Sequence, residues 1–238
     1  MTGTPGWLVA VAALTVGAIL VRLYTVVTAP RTAKPSGRRE AIERCSFAVF
    51  LGSGGHTSEA LSLVSALDFN RYVPRTYIIS EGDTLSMQKA VDLESAKAAE
   101  APSTMPSSMR SDSRYTFVVI PRARRVHQTL LTTPFTAALS LIAAVWHITV
   151  GPLIAGPPVP EVLLLNGPGT CFVLCIATYL NRFLGLRSPK LIYIESFARV
   201  RHLSLSGKLL RPLVDRFIVQ WPELVKDKRR DECHGWLV

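Results

Sequence analysis

The chain has 238 residues, 48% of them hydrophobic and only 18% charged, a balance that excludes a disordered polypeptide. At roughly 100–200 residues per domain the length suits one domain with an appendage. With 27 Lys and Arg against 17 Asp and Glu, the formal charge is +10, which favours anionic partners: nucleic acid, an acidic membrane face or a phosphorylated substrate. The cysteines at 45, 171, 175 and 233 form no CxxC pair and the five histidines are scattered. No zinc-type spacing results, and the cysteines read as buried small hydrophobes in a reducing compartment.

The first predicted element is a membrane span. Residues 7–21, WLVAVAALTVGAILV, carry no charge. Extended to Val27 the run reaches about 31 Å as a helix, enough to cross a bilayer core. No basic residue precedes it, as a signal peptide would require. Arg22, Arg31, Lys34, Arg38 and Arg39 follow it instead, so the positive-inside rule places the bulk of the chain in the cytoplasm. Residues 1–28 are therefore expected to be the anchor and 29–44 a basic linker. Residues 45–238 form one domain, with a disordered Ser/Ala/Pro-rich loop at 94–114. Two later apolar stretches, 133–150 and 170–186, are short for spans. They are expected to be buried core helices, with a helix on the bilayer surface as the alternative.

From residue 45 onward, strand-length and helix-length segments alternate. Strands are predicted at 46–51, 75–80, 115–120, 161–166, 190–195 and 215–220. Helices are predicted at 57–67, 84–93, 126–149 and 170–184. Strands apolar on both faces suit a parallel sheet covered on both sides, and the alternation predicts an open, Rossmann-like α/β domain. Ligands in such sheets bind beyond the carboxyl ends of the strands.

The informative residues follow the strands. The first strand runs into Gly52-Ser53-Gly54-Gly55-His56-Thr57, a glycine turn at which a backbone can approach an anion on the next helix's N-terminus. Thr57 or Ser58 could cap that helix. The loop lacks the Lys of a Walker A and the third glycine of a dinucleotide fingerprint. Glu81, after the second strand, nevertheless keeps a dinucleotide reading open. The third strand ends in Arg122-Ala123-Arg124-Arg125, suited to phosphate oxygens or to a plain basic surface. The fourth runs into Asn166-Gly167-Pro168-Gly169-Thr170, a second glycine turn with Thr170 as its cap. The fifth ends at Glu195, a carboxylate that could work at the same edge or pair with Arg199.

Six blocks in order, FLGSGGHTSEAL, IPRARRVHQ, LLLNGPGTC, YIESFARV, LSLSGKLL and FIVQWPEL, carry a family resemblance. The chain resembles the membrane-anchor subunit of the eukaryotic UDP-N-acetylglucosamine transferase of the dolichol pathway, the asparagine-linked glycosylation protein fourteen family. That family is similar to the N-terminal half of bacterial MurG, a GT-B transferase. The resemblance implies a soluble partner, of the protein thirteen family, that binds UDP-GlcNAc. It implies transfer of the second GlcNAc onto dolichyl-diphosphate-GlcNAc by an inverting enzyme whose subunits are inactive alone. It places the chain in the endoplasmic reticulum membrane and the contiguous nuclear envelope, N-terminus lumenal, main domain cytosolic.

On this resemblance His56 is the expected general base, its imidazole able to accept a proton, with Glu195 the second catalytic candidate. Ser53, Gly54, Gly55, Thr57, Asn166, Gly167, Gly169 and Thr170 are expected to contact the acceptor, and Arg122 and Arg124 to neutralise its diphosphate. No cofactor and no resident metal are expected, with Mg²⁺ carried on substrate phosphates as the alternative. The charged run 226–232 is expected to be solvated. Trp236, Leu237 and Val238 are expected to bind the partner, or else to dock on the domain itself as a last strand. Two other functions stay open: a purely recruiting anchor, and a membrane-tethered nicotinamide oxidoreductase. Nucleic acid is not an expected partner, because the basic residues follow the span rather than interleaving with aromatics.

Overall fold

The computed structural model describes residues 6–29, 44–100, 115–124, 128–129, 131–154, 158–167, 169–227 and 231–237. Helix α1 (Gly6–Thr28) comes first. It is followed by an α/β domain whose seven described strands are all parallel, in the order β3-β2-β1-β4-β5-β6-β7. The strands are β1 (Phe47–Leu51), β2 (Arg75–Ser80), β3 (Tyr115–Ile120), β4 (Val162–Asn166), β5 (Lys190–Ile194), β6 (Arg216–Val219) and β7 (Asp231–Cys233). The helices between them are α2 (Gly55–Ser65), α3 (Thr84–Glu100), α4 (Thr133–Val145), α5 (Gly151–Ile154), α6 (Thr170–Leu184) and α7 (Leu205–Leu210).

The period-two alternation of β1 shows why both faces must be covered. Ala48 and Phe50 join one core with Leu163, Leu165, Tyr193 and the α6 residues Cys171, Leu174 and Cys175. Phe47, Val49 and Leu51 join the other with Ala60, Leu61 and Val64 of α2 and Ala90 of α3. Residues on opposite faces of one strand thus reach two helical layers. Crossing from β1 to β2 on one side and from β1 to β4 on the other is the strand reversal of a doubly wound sheet, the place where ligands collect.

Helix α1 spans Trp7–Thr28 with none of its apolar window buried, long and apolar enough to cross a bilayer. Its Arg22 does more than snorkel. The guanidinium donates to the carbonyls of Phe183 (3.0 Å) and Arg182 (2.9 Å), two of the orphan acceptors at the C-terminus of α6, where a cation is favoured.

Several expectations need correction. The segment 94–114 is not a loop throughout, since α3 runs on to Glu100. ESAKAAE is made of good helix formers, and buried Glu94 holds Arg75 through two bonds (2.6 and 2.7 Å) and Tyr77 through a third (2.8 Å). Residues 101–114 and the linker 30–43 lie outside the described residues. Of the two supposed core helices, α6 is one, with eight buried residues spaced along a single face. Helix α4 is not. Only Ser140 and Ala144 are buried, while Phe135, Leu139 and Ile142 are exposed, as is Trp146 in the π-helical turn Trp146–Val150 that continues it. The run through α5 makes a continuous apolar helix, Thr133–Ile154.

The charged run near the C-terminus is not wholly solvated either. Asp231 and Glu232 belong to β7. Arg211 donates twice to buried Asp231 (2.7 and 2.6 Å), and the Lys226 and Asp227 amides donate to it as well (2.8 and 3.0 Å). Arg216 pairs with Glu232. Charges that look like a solvent-facing run in one dimension are met here by partners from α7's end and β6.

Candidate functional site

Strands β1 and β4 are neighbours in register, with Leu51 opposite Asn166. The two glycine turns that follow them therefore lie side by side at the carboxyl edge of the sheet. Gly54 starts α2 at φ +68°, ψ −126°, a conformation that excludes ordinary side chains. Ser53, Gly54 and Gly55 are exposed, so this turn is open to a ligand. Gly167 adopts φ +123°, and a Cβ there would come within 3.1 Å of the His56 ring. The second turn thus closes directly onto the imidazole.

His56 is half-buried between the turns. Its Nδ1 lies 2.9 Å from Asn166 Oδ1. The Asn166 amide donates through Nδ2 to Glu59 Oε2 at 3.1 Å, and Glu59 Oε1 accepts from Ser196 Oγ at 2.7 Å. A carboxylate only accepts, so Asn166 must turn its nitrogen to Glu59 and its oxygen to His56. In the neutral ring this arrangement assigns the proton to Nδ1 and leaves the lone pair on Nε2.

Other expected ligands are placed differently. Asn166 is fully buried and both ends of its amide are engaged within the protein. Thr57 is buried too; its hydroxyl donates to the Gly52 carbonyl and meets Ser86 Oγ at 2.6 Å. Neither threonine caps a helix: the cap positions are Gly54 and Gly169, without side-chain cap bonds. Instead Thr170 Oγ1 accepts from the Ala123 amide at 3.3 Å. That bond ties the arginine segment after β3 to the N-terminus of α6, although β3 is three strands away from β4. Arg122 is half-buried there and Arg124 exposed, its guanidinium donating to the Gln128 carbonyl at 3.1 Å. Gly169 is exposed in the second turn. The edge thus collects two helix N-termini, an arginine segment and one imidazole, a set that suits a phosphorylated ligand and a proton acceptor.

Glu195 is 1% exposed. Its carboxylate accepts from the Ser196 amide (3.3 Å) and from the amide and hydroxyl of Ser204 (both 3.1 Å), fastening the turn into α7. Burial raises its pKa above the ordinary carboxylate value, against the pull of those donors. Ser204 in turn caps α7 by accepting from the Gly207 amide at 2.9 Å. Its position gives this carboxylate a holding task in the turn. Arg199, the expected ion-pair partner, is exposed, and no salt bridge joins the two among the described pairs.

Glu59 and Ser196 do not stand out in the sequence. No local signal marks them, because their partners lie 107 and 137 residues away in the chain. Among the described residues, no three His, Cys, Asp or Glu side chains converge as a metal ion would need.

The C-terminal tail docks on its own domain. The Leu237 amide donates to Gln220 Oε1 at 3.2 Å, and its half-buried side chain joins the α2–α3 core. Trp236 packs on Phe197 (5.8 Å between rings) and Trp221 (5.7 Å), yet stays 70% exposed. Val238 lies outside the described residues.

The fold and edge together define a parallel α/β protein with two adjoining glycine turns at its candidate site, preceded by an apolar helix. Residues 47–237 match the family described as "Oligosaccharide biosynthesis protein Alg14 like", and the chain belongs to that family. It is 45% identical over 220 residues to the UDP-N-acetylglucosamine transferase subunit ALG14 of Cryptococcus neoformans var. neoformans, covering 92% of this chain and 91% of that one. The subunits of the same name from Schizosaccharomyces pombe and Mus musculus are 43% and 40% identical, covering 93% and 91% of this chain and 96% and 91% of theirs. Among solved structures, MurG of Acinetobacter baumannii aligns with a TM-score of 0.49 at 12% identity, over 79% of this chain and 45% of that one.

Proposed function

We propose that the chain is the membrane-anchored, acceptor-side half of a two-chain inverting UDP-N-acetylglucosamine transferase. Its reaction adds the second GlcNAc to dolichyl-diphosphate-GlcNAc, and a soluble subunit brings the UDP-GlcNAc. The relatives' shared name supplies the donor class. One observation carries the chemical part: an imidazole held at the edge of two glycine turns by Asn166, with Nε2 left to accept a proton.

In this reading the acceptor diphosphate lies against the N–H groups opening α2 and α6, with Arg122 and Arg124 opposing its charge. The acceptor's 4-hydroxyl attacks the anomeric carbon of the donor sugar. The C–O bond to UDP breaks as the new bond forms on the opposite face, and the hydroxyl proton passes to His56 Nε2. UDP leaves with the bonding electron pair. Glu195 shapes the neighbouring turn, and Thr57, Asn166 and Thr170 hold the loops that meet the acceptor.

The anchor reading rests on α1 and extends to α4. The exposed face of Phe135, Leu139, Ile142 and Trp146 is the kind of surface that lies in a bilayer interface. With α1 crossing the endoplasmic reticulum membrane, the domain sits on the cytosolic side, where UDP-sugars are available. Trp236, exposed on an aromatic pair, is the tail residue offered to the soluble subunit, beside Leu237 and Val238.

Reconstitution tests the assignment. Detergent-solubilised full chain, the soluble subunit and their mixture are each given UDP-GlcNAc and a short-chain isoprenoid diphosphate-GlcNAc. Transfer in the mixture alone is expected. Transfer by the soluble subunit alone would leave this chain a recruiting anchor.

A further inference from the structure

Resting on the reading of His56 as the base, we propose that Glu59 is a positioning residue that sets the protonation site of the imidazole through Asn166. The juxtaposition is a chain of polar contacts linking the loop after β5, the first turns of α2 and the end of β4. The Ala198 amide donates to Ser196 Oγ at 3.3 Å, which leaves the hydroxyl proton to go to Glu59 Oε1 at 2.7 Å. Asn166 Nδ2 donates to Glu59 Oε2 at 3.1 Å, and Asn166 Oδ1 faces His56 Nδ1 at 2.9 Å.

An asparagine amide alone is ambiguous, because a half-turn exchanges its oxygen and nitrogen with almost no change of shape. Flipped, it would donate to Nδ1, force the proton onto Nε2 and leave no lone pair where the acceptor hydroxyl arrives. Asn166 is fully buried, so no water competes to hold it either way. Glu59 breaks the symmetry, since its carboxylate accepts and cannot donate. Its effect on His56 is therefore exerted at a distance, and it touches no reacting atom. The same carboxylate joins the start of α2 to the loop after β5, coupling the tautomer to the assembly of the edge.

The test reads the tautomer directly. Full chain labelled with ¹⁵N-histidine in detergent micelles gives two-bond ring correlations. The His56 set is assigned by its absence from His56→Gln. The wild type is expected to show Nδ1 protonated and Nε2 bare. In Glu59→Ala the pattern should shift towards Nε2–H, and turnover with the soluble subunit should fall about 10–10³-fold with KM little changed, as for other bases left in the wrong tautomer. Glu59→Gln can still offer its amide oxygen to Asn166 once the Ser196 hydroxyl turns, so it should restore the wild-type correlations. A wild-type imidazole protonated on Nε2 would overturn the proposal. So would a Glu59→Ala chain with unchanged correlations, whatever its melting temperature, because a merely structural tie moves stability and not the tautomer. The ring correlations do not depend on proton transfer during catalysis. Undiminished turnover in His56→Ala would therefore remove the base reading alone.

Discussion

Asn166 and Gly167 are adjacent in sequence and act on the same imidazole in different ways. Asn166 holds it by a hydrogen bond to Nδ1, whereas Gly167 makes room for it by having no Cβ. A second glycine works similarly under Glu195. A Cβ on Gly207 would stand 2.0 Å from Glu195 Oε2, and three hydrogen bonds keep that carboxylate from retreating. Gly207→Ala should therefore destabilise the domain by about 1–3 kcal/mol, the range for overpacking a fixed site. A thermal melt of the variant in detergent checks this, and an unchanged midpoint would mean that the turn into α7 relaxes freely. At this scale the sequence is legible only in part. His56 and the open glycines stand out because turns after strands are punctuated by residue type. Glu59 looks like any helical glutamate until folding brings Asn166 and Ser196 to it.

Among the elements, β1 and β4 are readable because buried parallel strands are apolar on both faces, so short runs such as VLLLN declare themselves. Two elements escape that logic. The end of α3 is hidden by a Ser- and Ala-rich composition, and what decides it is the buried Arg75–Glu94 pair. Strand β7 is hidden by Asp231 and Glu232, whose charges are met by Arg211 and Arg216. Helix α4 departs from its expected burial for a related reason: a hydrophobic run does not say whether its partner is protein or lipid. Its exposed stripe yields a graded expectation. Deleting residues 1–28 should leave a domain that carbonate releases from membranes but neutral buffer retains. Adding Phe135→Ser, Ile142→Ser and Trp146→Ser should then free it into the supernatant at neutral pH. If the truncated chain resists carbonate, Thr133–Ile154 crosses the bilayer; if it is already soluble, α4 meets no lipid.

For the whole molecule, the glycine turns lie at the sheet edge where the strand order runs from β1 to β2 on one side and to β4 on the other, while α1 is tied to the far end of α6 through Arg22. Residues 169–170 begin α6 at the second glycine turn and the carbonyls of residues 182–183 meet Arg22 of α1 at its other end, so one helix joins the candidate site to the apolar helix. The tail brings a second contact into view. Leu237 completes the domain's own core, whereas Trp236 remains largely exposed. Trp236→Ala should thus weaken co-purification of the soluble subunit while leaving the melting temperature near that of the wild type. Deletion of residues 236–238 should lower both. Full retention of the subunit by Trp236→Ala would leave the exposed ring without a docking role.

In the proposed function this chain supplies the proton acceptor to a transferase completed by another subunit. The most direct measurement is kcat for GlcNAc transfer by the reconstituted pair, comparing the wild type with His56→Ala at matched subunit binding. A fall of about 10²–10⁴-fold is expected, the range for losing a general base, with the soluble subunit still bound. Equal kcat in the two would contradict it, and a loss confined to KM would make His56 a residue that binds the acceptor without taking its proton.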